Sequence, residues 1–255
     1  MGTGAITQYF DAAQVTLYAF WIFFAGLVYY LRTEDKREGY PLVTETPGVT
    51  KEGFPPVPKP KTFLQRDGTT TTAPRDDLRE PDFNATPLGV WTGLPSDPIG
   101  NPLLSVSGPA AYALRPDKPE LNWNRDQTRL APLRVATDHE FNPQSPNPIG
   151  FDVVGFDGIV GGTVTDAWID REEPQVRYLE VKTSGGKTVL VPMPLVRVKE
   201  SANQVLLASV TGKQVGEAPT LANPDQVTWL EEDRIQAYFA SGQLFATPAR
   251  RESLI

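Results

Sequence analysis

Hydrophobic positions are spread unevenly along the chain, and their spacing divides it into segments of different character. Residues 12–31 form a run of twenty without one formal charge, bracketed by Asp11 and Arg32. At about 1.5 Å per residue, a helix of that length crosses a hydrocarbon layer of about 30 Å. The next segment, 32–149, is punctuated by proline: 19 of the 25 prolines lie at or before Pro148. Runs such as Phe54-Pro55-Pro56-Val57-Pro58-Lys59-Pro60 forbid long helices and interior strands. Apolar side chains persist through it (Phe63, Leu64, Val90, Trp91, Leu103, Leu104, Tyr112), which predicts an extended chain lying on a surface rather than disorder. From residue 150 to 255 short β-type runs follow, at 161–169, 175–182, 188–192, 196–199 and 204–209, separated by turn signals such as Gly155-Phe156-Asp157-Gly158 and Ser184-Gly185-Gly186. They predict a small antiparallel barrel or sandwich. Leu230, Ile235, Tyr238 and Phe239 give an apolar stripe to a helix over about 228–240, with Asn223-Pro224-Asp225 supplying cap chemistry and Ser241-Gly242 the stop.

The apolar run reads as a retained anchor. A signal peptide would begin with basic residues and carry a shorter apolar stretch, whereas residues 1–10 contain no Lys or Arg. Arg32, Lys36 and Arg37 all follow the run and none precedes it, which predicts residues 1–11 outside and the C-terminal domain in the cytoplasm. Tyr29 and Tyr30, and Tyr9 and Phe10 at the other end, sit at headgroup depth. Ala12, Ala19 and Gly26, with Thr16 nearby, line one face where another helix could approach closely. Trp21, mid-helix, is expected to pack on a protein helix, a lipid tail or a pigment.

Composition removes several function classes. There is no Cys and a single His, His139, so disulfides, thiolate metal sites, haem ligation and imidazole catalysis lack their ligands. A formal charge of -7 with no basic stripe argues against a nucleic-acid binder. Gly186-Lys187-Thr188 lacks the upstream glycine of a phosphate loop and reads as a hairpin turn. What remains is carboxylate clustering: Asp170, Glu172 and Glu173 with Arg177 just beyond, and Glu231, Glu232 and Asp233 on the late helix. Close acids with a neighbouring Arg can hold protons of graded affinity. An exposed turn with solvated charges is the simpler reading of the spacing alone.

Several stretches together resemble one family. Phe20-Trp21-Ile22-Phe23, Tyr30-Leu31-Arg32, Glu34-Asp35-Lys36-Arg37-Glu38-Gly39-Tyr40-Pro41-Leu42 and Pro60-Lys61-Thr62-Phe63 are similar to the H subunit of the purple-bacterial photosynthetic reaction centre. The likeness continues through Asn147-Pro148-Ile149-Gly150, Gly162-Thr163-Val164-Thr165-Asp166-Ala167-Trp168-Ile169-Asp170 and Leu230-Glu231-Glu232-Asp233-Arg234, in order along the chain.

The resemblance implies a single N-terminal transmembrane α-helix plus a cytoplasmic mainly-β domain, made of an extended Pro-rich segment and a small PRC-type antiparallel β-barrel with one C-terminal helix. It implies a non-catalytic subunit in a bacterial inner, intracytoplasmic membrane that caps the L and M subunits and helps deliver protons to the secondary quinone. An antenna ring and membrane lipids are further implied partners. This chain would hold no cofactor of its own; bacteriochlorophyll, bacteriopheophytin, quinones, non-haem iron and carotenoid belong to the partner subunits. Carried over by position, Asp170, Glu173 and Arg177 lie on or near the proton path, Glu120, Arg129 and Glu232 belong to the surrounding polar network, and Tyr30 sits beside a lipid. Where family members place two His at the proton entrance, this chain has Asn122-Trp123-Asn124-Arg125-Asp126-Gln127, which leaves Asp126 as a candidate there or the entrance unused. A membrane-tethered barrel that recruits a soluble partner is the alternative.

Overall fold

The structure, a computed structural model, describes residues 6, 11–43, 50–75, 84–91 and 94–251. The chain forms two compact units, Met1–Leu78 with Trp91–Gly93, and Arg79–Val90 with Leu94–Ile255.

In the first unit, helix α1 (Ala12–Asp35) starts at Asp11, whose side chain accepts the Gln14 N–H at 2.7 Å, a standard N-cap. None of its residues is buried, and an 18-residue window has mean hydropathy 1.6, so the helix is long and apolar enough to cross a membrane. It runs four residues past the expected end at Leu31, because Arg32 and Glu34 are good helix formers and nothing breaks the pattern before Gly39. Among the described residues nothing covers the small-residue face at Gly26, where an added Cβ would meet no atom within 4 Å. Trp21 lies against the rings of Phe20 and Phe24. Tyr9 and Phe10 lie outside the described residues.

Past α1 the proline run is folded back rather than simply extended. Proline has no N–H to give but keeps a carbonyl that must be satisfied, and two cations supply donors. The buried Lys36 ammonium donates to the carbonyls of Glu52 and Pro55 and lies 5.0 Å from the Tyr40 ring centre. Arg37 donates to the carbonyls of Lys59 at 2.8 Å and Ala73 at 2.9 Å, while Glu34 takes its Nε and Nη2. Short antiparallel pairs fill the rest: β1 (Leu42–Val43) with β2 (Thr50–Lys51), and β3 (Lys61–Leu64) with β4 (Thr70–Ala73).

The second unit holds one more such pair, β5 (Ala85–Pro87) with β6 (Ser96–Pro98), and a seven-stranded sheet. Its strands are β7 (Leu130–Pro132), β8 (Asp152–Val154), β9 (Val160–Asp170), β10 (Gln175–Thr183), β11 (Thr188–Pro192), β12 (Val196–Lys199) and β13 (Gln204–Leu207). The order is β11-β10-β9-β8-β13-β12, with β7 also on β9. The two ends of that path, β11 and β12, are joined by a single three-residue turn, Met193–Leu195. The sheet must therefore curl far enough to bring its two end strands within reach of that short connection, as a barrel does. One pairing, β13 with β8, is parallel, a departure from the all-antiparallel expectation; the chain travels through four other strands between these two, long enough to return in the same sense.

The five β-type runs read from the sequence are strands β9 to β13, within two residues at each end. Trp168, Tyr178, Leu179, Val181, Leu190 and Val205, from both faces of the sheet, belong to one buried cluster with Ile235, Tyr238 and Phe239 of helix α3 (Trp229–Phe245). Each such side chain contributes about 1.5–3 kcal/mol of burial. Leu103 and Leu130 belong to the same core. Much of the Pro-rich segment after Leu78 thus clusters with the barrel unit.

Helix α3 begins where expected but is capped differently, and it runs past its expected end. The cap is Thr228, in a capping box with Glu231; Asn223 instead closes a local turn by accepting the Asp225 N–H. Ser241-Gly242 does not stop the helix, because Gly242 serves a close approach: a Cβ there would stand 2.5 Å from the Ser209 carbonyl oxygen. Beside it lies the short helix α2 (Gly212–Val215). Gly242→Ala should therefore destabilise the protein by about 1–3 kcal/mol through overpacking, although alanine is the better helix former. Thermal unfolding of the detergent-solubilised chain reads this out, and unchanged stability would refute the close approach.

Candidate functional site

The sequence places Glu120 and Arg129 on either side of the loop that carries Asn122-Trp123-Asn124-Arg125-Asp126-Gln127. A bridge between Leu121 and Thr128 closes that loop, and the Arg129 N–H donates to the Glu120 carbonyl at 2.8 Å. Leu130 then pairs with Asp170, the last residue of β9, and Asp170 pairs with Gln175, the first residue of β10. Three chain segments therefore meet at Asp170. Its side chain is 2% exposed.

Such a carboxylate needs compensation, and it has four donors. Arg129 Nε lies 3.0 Å from both carboxylate oxygens, Arg129 Nη2 2.9 Å from Oδ2, and the N–H groups of Glu172 and Glu173 donate to Oδ1 at 2.9 and 3.2 Å. Burial by itself would raise the Asp170 proton affinity; the Arg129 hydrogen bonds, the two backbone donors and the Arg129 charge outweigh it and hold the carboxyl below the usual value. Arg129 is correspondingly pushed up, first by its bonds to Asp170.

Around this pair the other acids are held more loosely. Glu120 Oε1 accepts from Arg129 Nη1 at 3.1 Å, and Glu173 Oε1 lies 3.7 Å from Arg129 Nη2 with its side chain 65% exposed. Arg177, which the sequence offers as the partner of Asp170, stands 3.9 Å away and is secondary to Arg129. The β9–β10 register explains why. Val176 faces Ile169 and Tyr178 faces Trp168, so Arg177 is the extra residue of a bulge, a device that turns a side chain out of the pleat.

The three consecutive acids of α3 have three different environments. Glu231 closes the capping box and also accepts the Ala222 N–H, and Asp233 pairs with Arg115 at 3.4 Å. Glu232 alone is turned inward, 8% exposed, where Oε2 accepts from the Tyr178 hydroxyl at 2.8 Å. Burial raises its proton affinity, Glu120 adds to that, and Tyr178, Arg177 and Arg115 oppose it without reversing the direction. Burial likewise pushes the Tyr178 phenol up.

Asp170, Glu173, Glu120, Arg129, Arg177 and Glu232 thus form one neighbourhood, with Glu120 and Arg177 electrostatically bridging the Asp170 group and Glu232. The loop at the expected proton entrance docks on it through the Trp123 N–H, 2.8 Å from Glu172 Oε1; Asp126 accepts from Asn122 at 2.6 Å. Tyr30 is in the other unit, exposed, with Lys61 Nζ 5.8 Å from its ring centre. Among the described residues no group of three or more His, Asp or Glu is placed to hold a metal ion.

One network escaped the sequence reading. Arg134 meets Asp166 at 3.0 Å, Glu180 at 2.8 Å and Asp225 at 3.0 Å, and the Trp168 indole N–H donates to Glu180 at 3.0 Å. Its signal was available: Asp166 and Glu180 each stand close to large apolar residues within a strand, and a buried acid requires a cation.

With these features in place, two family matches decide the assignment. Residues 4–135 match the family described as photosynthetic reaction centre, H-chain N-terminal region, and residues 144–214 match the PRC-barrel domain. This chain belongs to the reaction centre H-chain family. The H-chain family is a subunit of a multi-subunit reaction centre, and helix α1 fits a membrane-anchored H chain whose β domain is a PRC barrel.

Two stability effects follow for this H chain. Asp170 is held below its unfolded value, so its contribution is present above about pH 4 and lost as pH falls through the lower folded value. Glu232 is raised, so its contribution is present at low pH and lost as pH rises through the folded value. Arg129→Ala, which leaves Asp170 buried without its cation, should cost about 3 kcal/mol at neutral pH and much less below pH 3. Unfolding curves measured across pH check both; equal losses at pH 7 and pH 3 would contradict the pairing.

Proposed function

We propose that this H chain caps the cytoplasmic side of the L and M subunits, stabilises them and helps pass protons to the secondary quinone, whose full reduction takes two protons with two electrons. The observation that carries this reading is Glu232, a buried carboxyl pushed toward holding its proton, set near Asp170, which is pushed the other way. A path for protons needs groups that change protonation state within the working pH range, and fixed charges that tune them.

In this scheme Asp170 is not a carrier. Held ionised by Arg129, it is a fixed negative charge that anchors the guanidinium. Glu173, exposed and within reach of Arg129, is the solvent-side acid that collects protons; Glu232 is the inner store; Arg177 and Glu120 set its affinity. The pigments, quinones, iron and carotenoid are carried by the partner subunits, with an antenna ring around the assembly. Lys and Arg following α1 support a cytoplasmic β domain and an N-terminus in the periplasm. Tyr30, exposed at the end of the apolar run with a Lys61 ammonium nearby, suits a lipid headgroup. Family membership favours this reading over a barrel that recruits a soluble partner.

Glu173→Gln and Glu232→Gln should each slow the second electron transfer to the quinone roughly tenfold, equivalent to about 1.4 kcal/mol of barrier, and leave the first transfer unchanged. Flash-induced absorbance kinetics on the isolated complex at neutral pH measure both steps. Unchanged second-transfer rates in both variants would remove proton delivery from the function.

A further inference from the structure

Glu232 is enclosed on the barrel side by two residues outside the family-derived set. The Tyr178 ring is fully buried in the core, 1% exposed, and its hydroxyl donates to Glu232 Oε2 at 2.8 Å. The Tyr178 hydroxyl oxygen in turn accepts from Gln236 Nε2 at 2.7 Å. Gln236 is one helical turn beyond Glu232 on α3, so both face the same strand. Tyr178 and Gln236 also line a pocket of about 670 Å³, with Arg177, Val176, Met193 and Leu195 among its walls. The buried carboxyl is thus hydrogen-bonded to one residue of the pocket wall, Tyr178, which is itself held by a second, Gln236.

We propose that Tyr178, oriented by Gln236, is the positioning group of Glu232 and the gate through which its proton is exchanged with this pocket. A phenol oxygen holding one N–H still has acceptor capacity, so it can take a proton from a hydronium in the pocket, which is left as water, while passing its own to the ionised Glu232. The incoming O–H bond breaks as an O–H forms on Tyr178; the original Tyr178 O–H breaks as one forms on Glu232 Oε2. The phenol is regenerated neutral and no electron moves. Charged groups facing Glu232 are Arg177 from β10, Glu120 from the hairpin before β7 and Arg115, itself paired to Asp233. Of these, Arg177 also lines the pocket, while the Tyr178 hydroxyl is the pocket-lining residue's group hydrogen-bonded to the carboxyl.

This rests on the proton-delivery reading, and the test separates the two. The intact complex carrying Tyr178→Phe, Gln236→Leu or Glu232→Gln is compared with wild type. The Glu232 carboxyl band is identified in infrared difference spectra by its absence in Glu232→Gln and followed across pH. Losing the donor to its ionised form should move the Glu232 midpoint up by about one pH unit in Tyr178→Phe, by about half that in Gln236→Leu, and slow the second electron transfer at least fivefold in Tyr178→Phe. A midpoint and rate unchanged in Tyr178→Phe overturn the proposal. If Tyr178→Phe does not assemble, an unchanged midpoint in Gln236→Leu overturns it. A normal rate in Glu232→Gln with a shifted midpoint in Tyr178→Phe sinks proton delivery while leaving the positioning role standing.

Discussion

A carboxylate withdrawn from water must be met by a cation and by hydrogen bonds, and at Asp170 that requirement organises the surroundings. Arg129 can reach Asp170 only because Leu130 is in register with it on β9, and that register fixes where the preceding hairpin lies. Glu120 is then carried to the other side of the same guanidinium, and the loop between them settles on Glu172. The pair is better regarded as a specification of geometry than as a source of stability, since the cost of desolvating both ions consumes most of their attraction.

Fixing one acid in its charged state gives its neighbours freedom to behave differently. Asp170 keeps a constant negative charge, Glu173 stays near water, and Glu232 is driven toward protonation by burial on the far side of Arg177 and Glu120. The opposite shifts of Asp170 and Glu232 come from the same two ingredients, burial and nearby charge, in different proportions. The bulge at Arg177 and the buried hydroxyl of Tyr178 belong to the same strand, so β10 supplies both the tuning charge and the inner hydrogen bond.

Much of the fold was legible from spacing. The charge-free run gave α1, the period of β-type residues gave β9 to β13, and the apolar stripe gave the buried face of α3. Less legible was anything decided by a partner distant in sequence. Glu231, Glu232 and Asp233 are indistinguishable as letters, and only the cap at Thr228 fixes which of them turns inward. Arg177 is near Asp170 in sequence, but Arg129, 41 residues earlier, is its partner. Gly242 looked like a stop because glycine so often ends helices; it is interior because Ser209 passes too close for a side chain. Residues 94–149 looked like a surface wrapping, yet Leu103 and Leu130 are core.

The central claim is that this chain works as the capping subunit of a light-driven electron-transfer complex. Isolating it through an affinity tag from gently solubilised native membranes, and recording the near-infrared absorption of what accompanies it, addresses that claim most directly. Bacteriochlorophyll bands that bleach reversibly in light are the predicted result. A colourless preparation from pigmented cells would contradict it.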